Sequence, residues 1–348
     1  MLLITRDILI LDLKMFKLIS LIILLVILVL FLTLTIAFFT LLERKVLSAM
    51  QRRSGPNKVG VGGLLQPIAD ALKLIFKETL RPSSSDKIAF FIAPILAFFI
   101  SLLTWLVIPV DYYGTISDLN IGLLYLLALS SISVYTIILA GWSSNSRYAF
   151  LGALRSSAQM ISYELAIGFI FLTILKLSGS LNLNSIITAQ AVSGWFVFLN
   201  WPIFLVFLVC GLAETSRPPF DLPEAESELV SGYNVEYSSA TFALFFLAEY
   251  CHILTNSAVV TITFLGGYLP IWPFVEVSPI WFSLKLMVCV FFFIWVRATL
   301  PRFRYDQLMR LGWKVILPFT FAWFLLICFI SVYFGIHAPP GGFTFYHL

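Results

Sequence analysis

An all-α membrane fold follows from three features of the sequence. Of its 348 residues 60% are apolar and only 11% charged, a composition too oily for an ordinary soluble domain. Apolar runs of about 20 residues recur along the chain, the length an α-helix needs to cross roughly 30 Å of hydrocarbon. The charged residues gather in a few connections between those runs. A bilayer offers no water to satisfy an open backbone, so the runs are predicted as helices.

Residues 1–17 mix charge with aliphatics, lack the Arg- and Ser-rich character of a transit peptide, and read as a short N-terminal extension. A single polytopic domain then covers 18–335, followed by a tail, 336–348. Eight spans are predicted, at 18–42, 88–110, 121–142, 159–178, 198–213, 238–266, 279–300 and 314–335. The first ends in Glu43-Arg44-Lys45 without a small-residue cleavage pattern, so it reads as a retained helix rather than a signal peptide. The fifth is short and follows Trp201-Pro202; the sixth is long enough to tilt or bend.

Four connections, 43–87, 142–158, 214–237 and 301–313, hold fifteen of the 22 Lys and Arg residues. The opposite connections, 111–120, 179–197 and 267–278, and the tail from Ile336 hold none. The positive-inside rule therefore puts the basic loops in the cytoplasm or a mitochondrial matrix, with Arg6, Lys14 and Lys17 dissenting.

Several functions lack support. Cys210, Cys251, Cys289 and Cys328 fall in separate spans, with no spacing for metal or cluster ligation. Of His252, His337 and His347 only His252 lies in a span, which offers no facing ligand pair for a haem. No Walker loop or Gly-x-Gly-x-x-Gly turn occurs, and no nucleic-acid partner is expected.

The connection after the first span holds a helix of its own. From Leu64 onward Leu65, Ile68, Ala69, Leu72, Ile75 and Phe76 recur at helical spacing, with Asp70, Lys73, Lys77 and Glu78 on other faces, as in a helix lying at the membrane interface. Gly55-Pro56 and Gly60, Gly62 and Gly63 form the turn before it. Arg52, Arg53 and Lys58 serve either topology and lipid head groups or a site. The 142–158 connection reads as water-facing until about Ser157. Glu164 follows inside the fourth span, where a carboxylate serves an ion path or a structural ion pair.

Seven of the 18 acidic residues lie between Glu214 and Glu249, flanked by strongly apolar segments. Asp221 and Glu224 fit a capping box for a helix with Pro223 in its first turn. Asp221, Glu224 and Glu228 would share one face of that helix, with Glu226 turned away. Glu214, Glu236 and Glu249 add to a surplus that Arg217 alone cannot neutralise within the segment. Closely spaced carboxylates share protons, which is the chemistry of a proton wire. Arg297, Arg302 and Arg304 of the last basic loop pair with the acidic loop if the bundle brings the ends together, or dock another protein.

Four stretches carry a family resemblance: "ERKVLSAMQRRSGPNKVGVGGLLQPIADALKL", "GWSSNSRYAFLGALRSSAQMISYE", "AETSRPPFDLPEAESELVSGYNVEYSSATFALFFLAEY" and "WVRATLPRFRYDQLMRLGWK". In sequence order they resemble membrane subunit 1 of the proton-pumping NADH:quinone oxidoreductases, respiratory complex I, known in bacteria as the H subunit. The resemblance covers about residues 25–335. It implies an eight-helix bundle at the heel of the complex that braces the peripheral arm and forms the membrane part of a ubiquinone chamber. The quinone tail would enter near the first, interfacial and sixth helices. Residues matching those near the chamber are Arg44, Arg53, Asp70, Arg217, Phe220, Arg297 and Arg302. Those matching the proton and coupling path are Glu164, Glu214, Asp221, Glu224, Glu226, Glu228 and Glu249.

The resemblance also implies partners: the peripheral-arm subunits of the quinone site, other membrane-arm subunits, and lipids. NADH, FMN and the iron–sulfur clusters would belong to partner subunits. The inner mitochondrial membrane is the expected location, with a bacterial plasma membrane as the alternative. The longer amino terminus and the divergent 179–197 and 267–278 connections depart from the family pattern. A stand-alone proton or cation transporter with acids on broken helices is the competing reading, and a purely structural anchor is a third.

Overall fold

The computed structural model describes the backbone of residues 2–112, 114–221, 232–271 and 276–333, with side-chain surroundings from residue 19 onward. Glu224, Glu226 and Glu228, and with them the expected capping box and shared acidic face, lie outside the described residues.

In chain order the α-helices are α1 (Leu2–Met50), α2 (Gln66–Phe76), α3 (Lys87–Leu103), α4 (Gly122–Ser143), α5 (Arg147–Ser178), α6 (Leu183–Ser193), α7 (Phe196–Leu199) and α8 (Trp201–Glu214). After the acidic loop come α9 (Ser239–Phe264), α10 (Pro279–Thr299), α11 (Tyr305–Leu311) and α12 (Leu317–Tyr333). Among the described residues seven helical segments are long and apolar enough to cross a membrane, and α8 is an eighth, shorter apolar helix. The chain is thus an all-α, multi-pass membrane protein.

Three boundaries differ from the sequence expectation, each for a local reason. The first helix continues past residue 42 to Met50, because Glu43, the first charged residue after the apolar run, has partners inside the bundle. It stops where Arg52 turns to a φ of 54° and the amides of Gln51, Arg52 and Arg53 fold back on Leu47, Ala49 and Ser48. The stretch read as a water-facing loop up to Ser157 is already helix from Arg147. Ser146 caps it by accepting the Ala149 amide at 3.3 Å, and its small residues Ala149, Gly152, Ala153 and Ser156 are buried. At the last span, helix begins at Tyr305 and passes through a π-helical turn, Gly312–Ile316.

The loop into α2 depends on glycine. Gly60, Gly62 and Gly63 all have positive φ, and a Cβ on Gly63 would stand 2.0 Å from the Pro56 carbonyl oxygen. Pro67 then opens α2 in its first turn, where a missing amide costs nothing.

Helix α9 is the centre of the bundle. In its apolar window 67% of residues are buried, against 11% for α1 and 17% for the last helix, whose outer faces are left for lipid or other chains. It packs on α3, α10, α1 and α2, while α5 joins α4, α8 and α12. The far end of α9 is closed by Lys285 of α10. Its buried ammonium donates to the carbonyls of Leu265, Gly267 and Leu269 at 2.6, 3.1 and 2.6 Å and lies 4.5 Å from the centre of the Trp195 ring. A cation is favoured at a helix C-terminus, so this lysine in an apolar span is satisfied where it stands.

Candidate functional site

The ends of α1, α8 and α10 and the N-terminal half of α9 meet in one buried ionic cluster, with Glu43 of α1 at its hub. Glu43 receives Arg297 and Arg217 on Oε1, the latter at 3.3 Å from Nη1, and the Tyr250 hydroxyl donates to its Oε2 at 2.6 Å. Arg217 also sets Nε 2.6 Å from Glu249 Oε1 and lies over the Tyr250 ring, 4.6 Å from its centroid. Beside the cluster Arg302 donates to buried Asp221 at 2.9 Å.

Two guanidinium groups thus face two carboxylates in a nearly dry site, which is how buried charge is tolerated. Burial acts to lower the pKa of Arg217, but the carboxylates of Glu249 and Glu43 outweigh it and raise the value further. Arg217 is a fixed cation, and any proton exchange in the cluster falls to its acids.

Next to this cluster lies a cavity of about 110 Å³, enclosed by α3, α4, α5, α8 and α9. Its polar lining includes Glu249, His252, Asn256, Glu214, Thr104 and Ser130. At ~30 Å³ per molecule, that volume has room for a few waters, and these polar groups, set in a mainly apolar wall, are their available partners. Asn256 donates to Glu214 Oε2 at 3.1 Å and to the Gly211 carbonyl at 3.2 Å, orienting the carboxylate at the end of α8.

From the cavity wall the acid chain continues. Ser130 donates to Glu164 Oε1 at 3.0 Å, and Ser131 donates to the same oxygen. Glu164 in turn borders a second, more open cavity of about 510 Å³ between α4 and α5. Ser130 therefore separates two cavities, one holding Glu249 and Glu214 and the other Glu164.

On the other side of the cluster, the turn of α1 that buries Glu43 carries Arg44 outward. Arg44 donates to Asp70 Oδ2 at 2.7 Å, and Gln66 donates to Asp70 Oδ1 at 3.0 Å, joining α1 to α2. The α2 residues Leu65, Ile68, Leu72, Ile75 and Phe76 are all exposed, so the amphipathic helix leaves its apolar side uncovered. Its C-terminal end is held by α9: the Ser239 hydroxyl contacts the carbonyls of Leu74 and Lys77 at 3.0 and 2.6 Å.

The sequence-derived residues therefore separate into groups. Arg217, Glu249 and Arg297 converge, with Asp221 and Arg302 adjacent; Glu214 shares the cavity, and Glu164 lies across Ser130. Arg44 and Asp70 pair at the α2 side, whereas Arg53 is exposed, its guanidinium bonded to Gln51 at 2.8 Å. Phe220 is core: it stacks on Phe303 with centroids 5.5 Å apart, and its carbonyl accepts from Gln159. Sequence reasoning missed Glu43, Tyr250, Asn256 and the serine pair of α4. Glu43 stands just past the end of the first predicted span, where an acid reads as a boundary marker, unlike Glu164, which lies inside one.

Comparison with known proteins gives a consistent match. The NADH dehydrogenase family profile matches residues 22–328. The H subunit of the NADH-quinone oxidoreductase of Paramagnetospirillum magneticum is 55% identical over 309 residues, covering 87% of this chain and 90% of the relative. Its counterpart from Rickettsia typhi is 57% identical over 307 residues, 87% and 91% of the two chains. NADH-ubiquinone oxidoreductase chain 1 of Chondrus crispus is 56% identical over 310 residues, 87% and 94%.

Proposed function

Since the chain belongs to the NADH dehydrogenase family, in the branch of the bacterial H subunit and chain 1, we propose that it forms the membrane wall of a ubiquinone chamber and passes protons into the bundle as quinone is reduced. It acts as a subunit of a proton-translocating NADH:quinone oxidoreductase, beside peripheral-arm and other membrane-arm subunits, in the inner mitochondrial membrane or a bacterial plasma membrane. The observation that carries this reading is the run of acids from Glu43 and Glu249, along the cavity that Glu249 and Glu214 both line, to Glu164.

The cysteines supply no cluster ligand set: Cys210, Cys251 and Cys289 are buried singly on different helices. As the family resemblance implies, an iron–sulfur cluster held by a neighbouring subunit would supply electrons to the quinone, with NADH and FMN further upstream. Arg44 and Asp70, beside the uncovered apolar face of α2, suit a ligand with an oily tail and polar head. Reduction of the quinone places negative charge in the chamber and demands protons. Glu43 of the cluster is the neighbour in sequence of Arg44, which pairs with Asp70 of α2, and Glu249 of the cluster lines the cavity, so a change of charge on the α2 side alters the balance of the cluster first. Glu249 then exchanges protons with the cavity waters, Glu214 receives them, and Glu164 carries them toward the outer groove. Glu224, Glu226 and Glu228 extend the acidic supply from the loop.

Replacement Glu214→Gln in the intact complex tests this. Quinone reduction and proton translocation fall together, by about tenfold or more where a positioned acid is lost, while the complex still assembles. Unchanged proton translocation rejects the path. Asp70→Asn or Arg44→Gln changes the apparent quinone affinity, and an unaltered KM for quinone removes the pair from the chamber.

A further inference from the structure

His252 is the one imidazole among the residues whose surroundings are described, and the acid path outlined above makes no use of it. It lies in α9, three residues after Glu249 and four before Asn256, so all three share one face of the helix. At about 1.5 Å of rise per residue, His252 stands about 4.5 Å along the axis from Glu249 and about 6 Å from the residue that holds Glu214. It faces the same cavity as both carboxylates. His252 is only partly buried, and its ring lines the cavity, which has room for waters to serve as its partners.

We propose that His252 is a proton carrier between Glu249 and Glu214, working through the cavity waters; this rests on the acid path being the route. A neutral imidazole has one acceptor and one donor nitrogen, on opposite edges of the ring. A proton arriving from Glu249 by way of water binds the free nitrogen, and the proton on the other nitrogen leaves by way of water to the Glu214 carboxylate. The imidazolium formed between the two events is electrically tolerable because both flanking groups are acids. The tautomer is restored by ring rotation or by the reverse exchange with water. The other titratable group lining the cavity is Tyr233; α3, α4 and α5 contribute hydroxyls and apolar side chains. Among the described lining residues there is no lysine or arginine; Arg217 stands behind Glu249, 2.6 Å from its Oε1.

The test uses the intact complex in liposomes, with rates normalised to assembled enzyme through NADH oxidation by a water-soluble acceptor. His252→Gln keeps a polar side chain of similar reach but cannot titrate. It is expected to lower proton-coupled quinone reduction by about tenfold and to remove one titration from the pH profile. His252→Leu, similar in volume and unable to carry a proton, gives the same loss and carries the test if the Gln variant does not assemble. A rate and pH profile like those of the parent, or a lowered rate with the parent pH profile, overturns the proposal, the second outcome being that of a structural residue. Glu214→Gln is measured in parallel. Loss there without loss at His252→Gln overturns only the histidine's role, whereas no loss at Glu214→Gln overturns the path and the histidine's role with it.

Discussion

At Glu43 one carboxylate takes hydrogen bonds and charge from three helices or loops at once, and this makes its neighbours sensitive in different ways. Arg217→Met would leave Glu249 buried without its cation, and breaking a buried pair by removing one partner costs about 3–5 kcal/mol. The expected result is a large fall in the thermal midpoint of the assembled complex. Arg217→Lys recovers only part of it, because a single ammonium cannot engage two carboxylates and stack on Tyr250 as a guanidinium does. Tyr250→Phe keeps the ring under Arg217 but removes the donor to Glu43, a charge-assisted bond worth about 1.5–3 kcal/mol. A double-mutant cycle with Glu43→Gln should return most of that loss as coupling energy; additive effects would mean that the hydroxyl acts elsewhere.

Much of this cluster was readable from residue type: a surplus of acids between apolar segments, and arginines in another basic loop able to meet them. The Arg302–Asp221 pair answers the question that the sequence left open. Glu43 was not readable in the same way, because it is the first polar residue after a span and passes for a boundary marker. What decides its role is the direction of its side chain, which depends on α1 continuing as helix to Met50.

At the scale of elements, polarity misled where packing governs. Ser and Arg density made 147–157 look like loop, yet small residues let α5 approach the Gly232–Asn234 turn closely enough to fold from Arg147. A Cβ on Gly152 would stand 2.8 Å from the Gly232 Cα, a backbone atom that cannot swing aside. Gly152→Ala is therefore predicted to destabilise the complex by about 1–3 kcal/mol and to shift the Gly232–Asn234 turn next to Tyr233. A structure of the variant with that turn unmoved, or parental stability, would contradict the packing argument. The periodicity of α2, by contrast, gave its helix and its apolar face directly. The Arg44–Asp70 pair that ties α2 to α1 is well exposed, and such pairs contribute about 0–1 kcal/mol. Asp70→Asn should leave the thermal midpoint nearly unchanged while altering quinone KM, a separation that a purely structural pair would not give.

Across the whole molecule, alternation of the spans gathers the basic connections and the ionic cluster at one end of the bundle. Lys285, bonded to the carbonyls of Leu265, Gly267 and Leu269, closes the other end. On the reading proposed above, transfer runs from the ionic cluster to the cavity that Glu164 borders. The alternation also predicts sidedness. Lys58 lies in the exposed loop between α1 and α2, and Glu276 in the connection between α9 and α10. With Lys58→Cys and Glu276→Cys introduced singly, a membrane-impermeant maleimide applied to sealed vesicles stripped of the peripheral arm should label one from the matrix or cytoplasmic side and the other from the opposite side. The three buried native cysteines and Cys328, which is partly covered, set the background to subtract. If Lys58→Cys reacts from the outer side and Glu276→Cys from the matrix or cytoplasmic side, the assignment of the basic loops by the positive-inside rule fails and Arg6, Lys14 and Lys17 are the better guide to orientation; reaction of both from one side contradicts the alternation of the spans.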